Sequence, residues 1–173
     1  MCKIYVSTYA KYNQGNLNGQ WVDLENYTDL ESFLEACHEL HKDESEPEFM
    51  FQDFEGFPKA FYSEYSLDER VFEYVTLADS DKDIWEAYLE GVDSTAEFKE
   101  AQDKFYGYFE SDTDLAYEYL ESTGLLEEAY HMIDNAENSD IPENLQRYFD
   151  YEAFGRDLAY NFYHHNGYYF NTY

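Results

Sequence analysis

Basic residues are scarce: 10 Lys plus Arg stand against 39 Asp plus Glu in 173 residues, a formal net charge of −29. A chain so charged repels nucleic acid and anionic lipid surfaces, so neither is an expected partner. Cysteine is confined to Cys2 and Cys37, with no CxxC pair. That excludes a disulfide framework and fits a reducing cytoplasm. No run approaches the roughly 20 apolar residues needed to cross a bilayer. The opening Met1-Cys2-Lys3-Ile4-Tyr5-Val6 lacks the basic-then-apolar pattern of a secretion leader. GxSxG, a phosphate-cradling glycine loop and HExxH are also missing, so nothing recommends an enzyme.

Acids and aromatics are what the chain has in excess. Twenty Tyr and 14 Phe separate it from disordered acidic chains, which have the charge without the rings. Each fully buried ring contributes roughly 1.5 to 3 kcal/mol, so a folded polyanion is expected. The charge is no tail: residues 1–60 hold 12 acids and 4 bases, 61–105 hold 13 and 4, and 106–173 hold 14 and 2. A body carrying that field repels itself, which favours an elongated row of small modules.

Local patterns supply the elements. Cys2 to Ala10 alternates like a half-buried strand, and Gln20 to Leu24 reads as a second beyond a turn-rich loop. Thr28 with Glu31 forms a capping box for a helix with Leu30, Phe33, Leu34, Cys37, Leu40 and His41 on one face. Phe49 to Asp53 is a third strand, ending before Gly56 and Pro58. Short helices follow, with starts at Ser66, Ser80, Ser94 or Thr95, and Asp112 or Thr113, and with stops at Gly91 and Gly124. Helix is expected over residues 125–133 and again from Ile141-Pro142-Glu143, with a break near Asp150. Asn166-Gly167, flanked by tyrosines, predicts a closing hairpin. The fold class is α+β: module 1–60 with a three-stranded sheet and helix, helical module 61–105, and α+β module 106–173.

Metal signals are weak. Asp79, Asp81, Asp83 and Glu90 fit positions 1, 3, 5 and 12 of a calcium loop, but Ile84 stands where that loop needs glycine. The pairs His38/His41 and His164/His165 define no third ligand. No cofactor or metal is therefore expected. Tyr160, Tyr163, Tyr168, Tyr169 and Tyr173 could furnish an interface.

A surface of acids can simply solubilise a protein, as in halophiles, or it can imitate DNA. Carboxylates on successive helical turns lie about 5–6 Å apart, near the phosphate spacing along one strand. Candidate mimics on the later helices are Asp81, Asp83, Glu86, Glu90, Asp93, Glu97, Glu100, Asp112, Asp114, Glu118 and Glu121. Two other readings stay open: an acidic adaptor for a different basic DNA-binding or nucleoid protein, and a carboxylate-dependent hydrolase.

Two stretches carry a resemblance. Ile4-Tyr5-Val6 through Lys11-Tyr12-Asn13 with Gly15, Gly19 and Trp21 is one; Pro142-x-x-Leu145-x-x-Tyr148-x-Asp150-Tyr151-x-Ala153-Phe154-Gly155-Arg156-Asp157-Leu158 is the other. They resemble the ArdA antirestriction proteins. The resemblance implies a cytoplasmic, non-enzymatic DNA mimic, encoded on mobile elements in bacteria. Its implied partner is a type I restriction-modification enzyme, bound at the specificity and modification core. It further implies three modules, with boundaries near 60 and 105, and a homodimer. Phe154, Gly155, Arg156, Asp157 and Leu158 match the antirestriction motif. That motif is expected to organise the last module and the dimer seam, with Arg156 in an ion pair with Asp157 or Glu152.

Overall fold

The computed structural model describes residues 1–16, 18–125 and 149–173. It is an α+β structure that divides into two compact units, Met1–Gln102 and Asp103–Tyr173. The boundary expected near residue 60 falls inside the first unit.

In unit 1 the central strand β1 (Lys3–Thr8) pairs antiparallel with β2 (Gln20–Asp23) on one side and β3 (Phe49–Glu55) on the other. Ile4 and Val6 on β1 are fully buried, as a half-buried strand requires. Extended structure stops at Thr8, earlier than the alternation suggested. The Thr8 side chain accepts from the Lys11 amide and starts a short helix, α1 (Tyr9–Asn13). Helix α2 (Leu30–Leu40) buries Phe33 and Cys37, and Phe33 meets Phe51 of β3 at a ring distance of 6.0 Å. Its cap is Asp29 rather than Thr28: the Asp29 carboxylate accepts from the Ser32 amide at 2.8 Å, and the Thr28 hydroxyl donates to it. A carboxylate satisfies the orphan amides better than the neighbouring hydroxyl.

Beyond Pro58 come the strand pair β4 (Tyr62–Ser63) and β5 (Ser66–Leu67), then helices α3 (Arg70–Tyr74), α4 (Asp79–Gly91) and α5 (Phe98–Lys104). Ser66 is spent in the strand pair. Asp68 instead accepts from the Arg70 amide at 3.0 Å, which moves the helix start downstream. Likewise α4 begins after Ala78 with no side-chain cap, and α5 begins at Phe98, not at Ser94 or Thr95. Trp85 is completely buried, with Phe61 at 5.2 Å and Phe98 at 5.6 Å. Phe72 of α3 reaches Phe33 of α2 at 6.1 Å, so sheet and helices share one aromatic core.

Unit 2 has a second sheet, ordered β6 (Phe105–Tyr108), β8 (Tyr168–Asn171), β7 (Phe162–His165), all antiparallel. The hairpin β7–β8 turns at Asn166 (φ 48°) and Gly167 (φ 86°), the two left-handed residues of a tight hairpin turn. Strand β6 is not signalled locally, because Phe105 also completes the apolar stripe of the preceding helix. Helix α6 (Asp112–Thr123) is capped by Ser111 and ends at left-handed Gly124. Helix α7 (Tyr151–Ala159) is capped by Asp150, at the expected break. The helix expected over 125–133, past Leu125, and the start at Ile141-Pro142-Glu143 lie outside the described residues.

Candidate partner-binding surface

The candidate carboxylates lie on three helices, α4, α5 and α6, and on the turn before α5. On α4, burial of Trp85, Ala87, Tyr88 and Leu89 turns Asp83 and Glu90 to solvent. They are seven residues apart, two helical turns and about 10.5 Å along the axis. Asp81 is half-buried in the first turn, where its charge complements the helix dipole. Asp93, Glu97 and Glu100 follow, all exposed. Asp93 accepts from the Thr95 amide at 2.8 Å and its hydroxyl at 2.7 Å, closing the turn before α5. Glu100 accepts from the buried Tyr88 hydroxyl at 3.0 Å.

On α6, Asp114, Glu118 and Glu121 are exposed at spacings i, i+4 and i+7. They therefore form one row, while Leu115, Ala116 and Leu120 face inward. Asp114 also accepts from the Ser111 hydroxyl at 2.7 Å.

Two candidates have a different job. Glu86 accepts from the hydroxyl of buried Tyr74, and Asp112 accepts from the hydroxyl of buried Tyr169 at 2.7 Å. Both tyrosines titrate above their ordinary range, through burial first and the adjacent carboxylate second. Glu86 and Asp112 are only half-exposed, so they pin helices to cores more than they project charge. The sequence holds no local hint of either pair.

Several bases are engaged within unit 1. Lys3 pairs with Glu55 at 2.9 Å, Lys42 with Glu39, and Arg70 with Asp68 at 2.8 Å. The hydrogen bond from Arg70 is the main reason the Asp68 carboxyl sits below its ordinary range. Neutralisation by these three pairs is local.

The metal candidates resolve simply. Asp79, Asp81 and Asp83 lie in the first turns of α4, not in a calcium loop. His38 is exposed and packs its ring 4.8 Å from Phe49. His164 and His165 are neighbours on β7 and point to opposite faces. Ligand atoms of His41, Asp43 and Glu44 do gather within 4.8 Å of one another. The Lys11 ammonium already lies among them, 2.9 Å from His41 Nδ1, 3.0 Å from Asp43 and 3.5 Å from Glu44.

The segment Phe154–Leu158 is a packing device. A Cβ on Gly155 would lie 2.0 Å from the carbonyl oxygen of Asp112, so only glycine lets α7 approach the start of α6 this closely. Leu158 joins Leu115, Ala159 and Tyr169 in the core of unit 2, with Phe154 packed against it. Tyr117 of α6 stacks on Tyr151 of α7 at 4.1 Å. Arg156 and Asp157 are exposed. The ion pair expected between Arg156 and Asp157 or Glu152 does not form; among the described residues Arg156 makes no ion pair.

Comparison with known families now decides the lineage: the model of the antirestriction protein (ArdA) family matches residues 4–170. The chain belongs to the ArdA family. Among curated proteins none matches it. ArdA membership makes antirestriction its function, with restriction enzymes as the class of partner. In this chain the Phe154–Leu158 segment is where α7 is seated on α6. No helix among the described residues is long and apolar enough to cross a membrane.

Proposed function

We propose that this ArdA-family protein is a non-catalytic DNA mimic that occupies the DNA-binding groove of a type I restriction-modification enzyme, in the cytoplasm of a bacterial host. The observation that supports it is the row Asp114, Glu118 and Glu121 on α6, echoed by Asp83 and Glu90 on α4. Such rows match the rhythm of phosphates along a strand closely enough to replace them against a basic groove. Asp81, Asp93, Glu97 and Glu100 add to the same field. A homodimer, built from three modules per chain, would lengthen the imitated duplex. No cofactor takes part, and nucleic acid itself is not bound.

The test is cleavage of unmodified plasmid by a purified type I enzyme, titrated with this protein or with polyglutamate of equal charge. Mimicry predicts near-stoichiometric inhibition by the protein alone, relieved by excess DNA and weakened steeply by salt. Inhibition by both polyanions only at large excess would refute it.

A further inference from the structure

Among the described residues, the sheet of unit 1 has an open side. Strand β2 is its outer member, whereas the other outer strand, β3, is covered: the Phe51 amide donates to the Glu64 carbonyl and the Tyr62 hydroxyl to the Phe51 carbonyl, each at 2.8 Å. The Leu24 amide donates to the Cys2 carbonyl at 2.9 Å, and Val22 lies opposite Ile4. Bonded and non-bonded positions alternate in an antiparallel pair. Val22 therefore spends its backbone groups on β1, and the amides of Trp21 and Asp23 face outward.

Beside this edge, between β2 and α2, lies a cavity of about 400 Å³. Val22, Tyr27, Ala36 and Leu40 give it an apolar lining, with Asp23 and the Lys42-paired Glu39 beside them. All four apolar residues keep part of their surface open to solvent.

Two outward amides next to an apolar groove are what an incoming strand needs: backbone bonds supply affinity, and alternate side chains enter the groove. The Asp23 carboxylate, beside the outward amides, sets the sign of the occupant. We propose that β2 and its groove form a docking site for an extended peptide segment alternating apolar and basic residues, which adds as a fourth strand. The apolar side chains lie against Val22, Ala36 and Leu40 on the α2 face of the sheet, and the basic ones, on the opposite face, meet Asp23. The site stands on the sheet edge and uses none of the carboxylate rows of α4 and α6.

The test uses the full chain, isotope-labelled, titrated with an eight-residue peptide of alternating valine and lysine while amide resonances are followed by NMR. Saturable shifts at Trp21, Asp23 and Leu40, with a dissociation constant at or below about 1 mM, are expected. The same peptide N-methylated at alternate residues, unable to pair as a strand, should lose at least tenfold in affinity. Ala36→Arg, which fills the groove with a cation at a half-exposed position of α2, should do the same with unchanged circular dichroism. Equal binding of the methylated peptide would reduce the effect to general charge attraction and overturn the site. So would the absence of shifts, or shifts at β2 that follow protein concentration without peptide, which would place a second copy there.

Discussion

Helices α4 and α6 carry similar numbers of acids but use them differently. Helix α4 sits against the large core around Trp85, and a tyrosine hydroxyl from that core takes Glu86 from its row. Helix α6 faces a smaller core and keeps Asp114, Glu118 and Glu121 together in solvent. It surrenders only Asp112, at its first residue, to Tyr169. Glu86 and Asp112, half-buried beside their tyrosines, serve the fold, whereas Glu100, bonded to buried Tyr88, stays exposed and serves both.

The comparison breaks most violently at Gly155. Gly155→Ala should cost about 3 kcal/mol, near the upper end for overpacking, because the obstructing atom is backbone; urea denaturation of unit 2 signals checks it. Tyr169→Phe strands the Asp112 carboxylate and should cost about 2 kcal/mol. The equivalent change at a fully exposed residue such as Tyr160 should be within about 0.5 kcal/mol. Neutralising the α6 row together, as Asp114→Asn, Glu118→Gln and Glu121→Gln, should weaken inhibition of a type I enzyme roughly tenfold, about 1.4 kcal/mol, and flatten its salt dependence. Stability should change little, since these groups lie on the outer face; thermal melts with the cleavage titration separate the two effects.

A smaller effect belongs to unit 1 alone. His41 titrates below its ordinary value, through burial first and the neighbouring Lys11 charge second, with Asp43 and Glu44 opposing. The unfolded chain then takes up a proton more readily than the folded one. Stability is full above the ordinary histidine pKa of about 6.5 and falls as pH drops from there toward the folded value. His41→Gln should blunt that slope in chemical denaturation between about pH 7 and pH 5 without altering unit 2. Smallest of all, Glu118→Gln alone should change inhibition less than about threefold, because the field is shared.

The sequence is readable where local chemistry leaves one solution. Asn166-Gly167 permits a tight hairpin, Gly124 a left-handed stop, and Asp150 a cap. It is ambiguous where two neighbours offer the same chemistry, as Thr28 and Asp29 do for the α2 cap. It is silent where the partner is distant. Strand β6 is four residues whose partner β8 lies more than 60 residues away, so no periodicity announces it. The exposed rows on α4 and α6 follow from helical spacing. The withdrawal of Glu86 and Asp112 from those rows does not, because Tyr169 lies 57 residues from Asp112 and only the fold joins them.

The tyrosine–carboxylate pairs also give the molecule two internal optical markers. Tyr74 lies in unit 1 and Tyr169 in unit 2, and both hold their phenolic protons beyond the range of an exposed ring. In an alkaline ultraviolet titration these two should lag furthest, behind Tyr9, Tyr62 and Tyr106, whose protons are also held above the ordinary range. Replacing either with Phe removes the latest absorbance step of its unit, so the opening of each can be timed separately, without an added label.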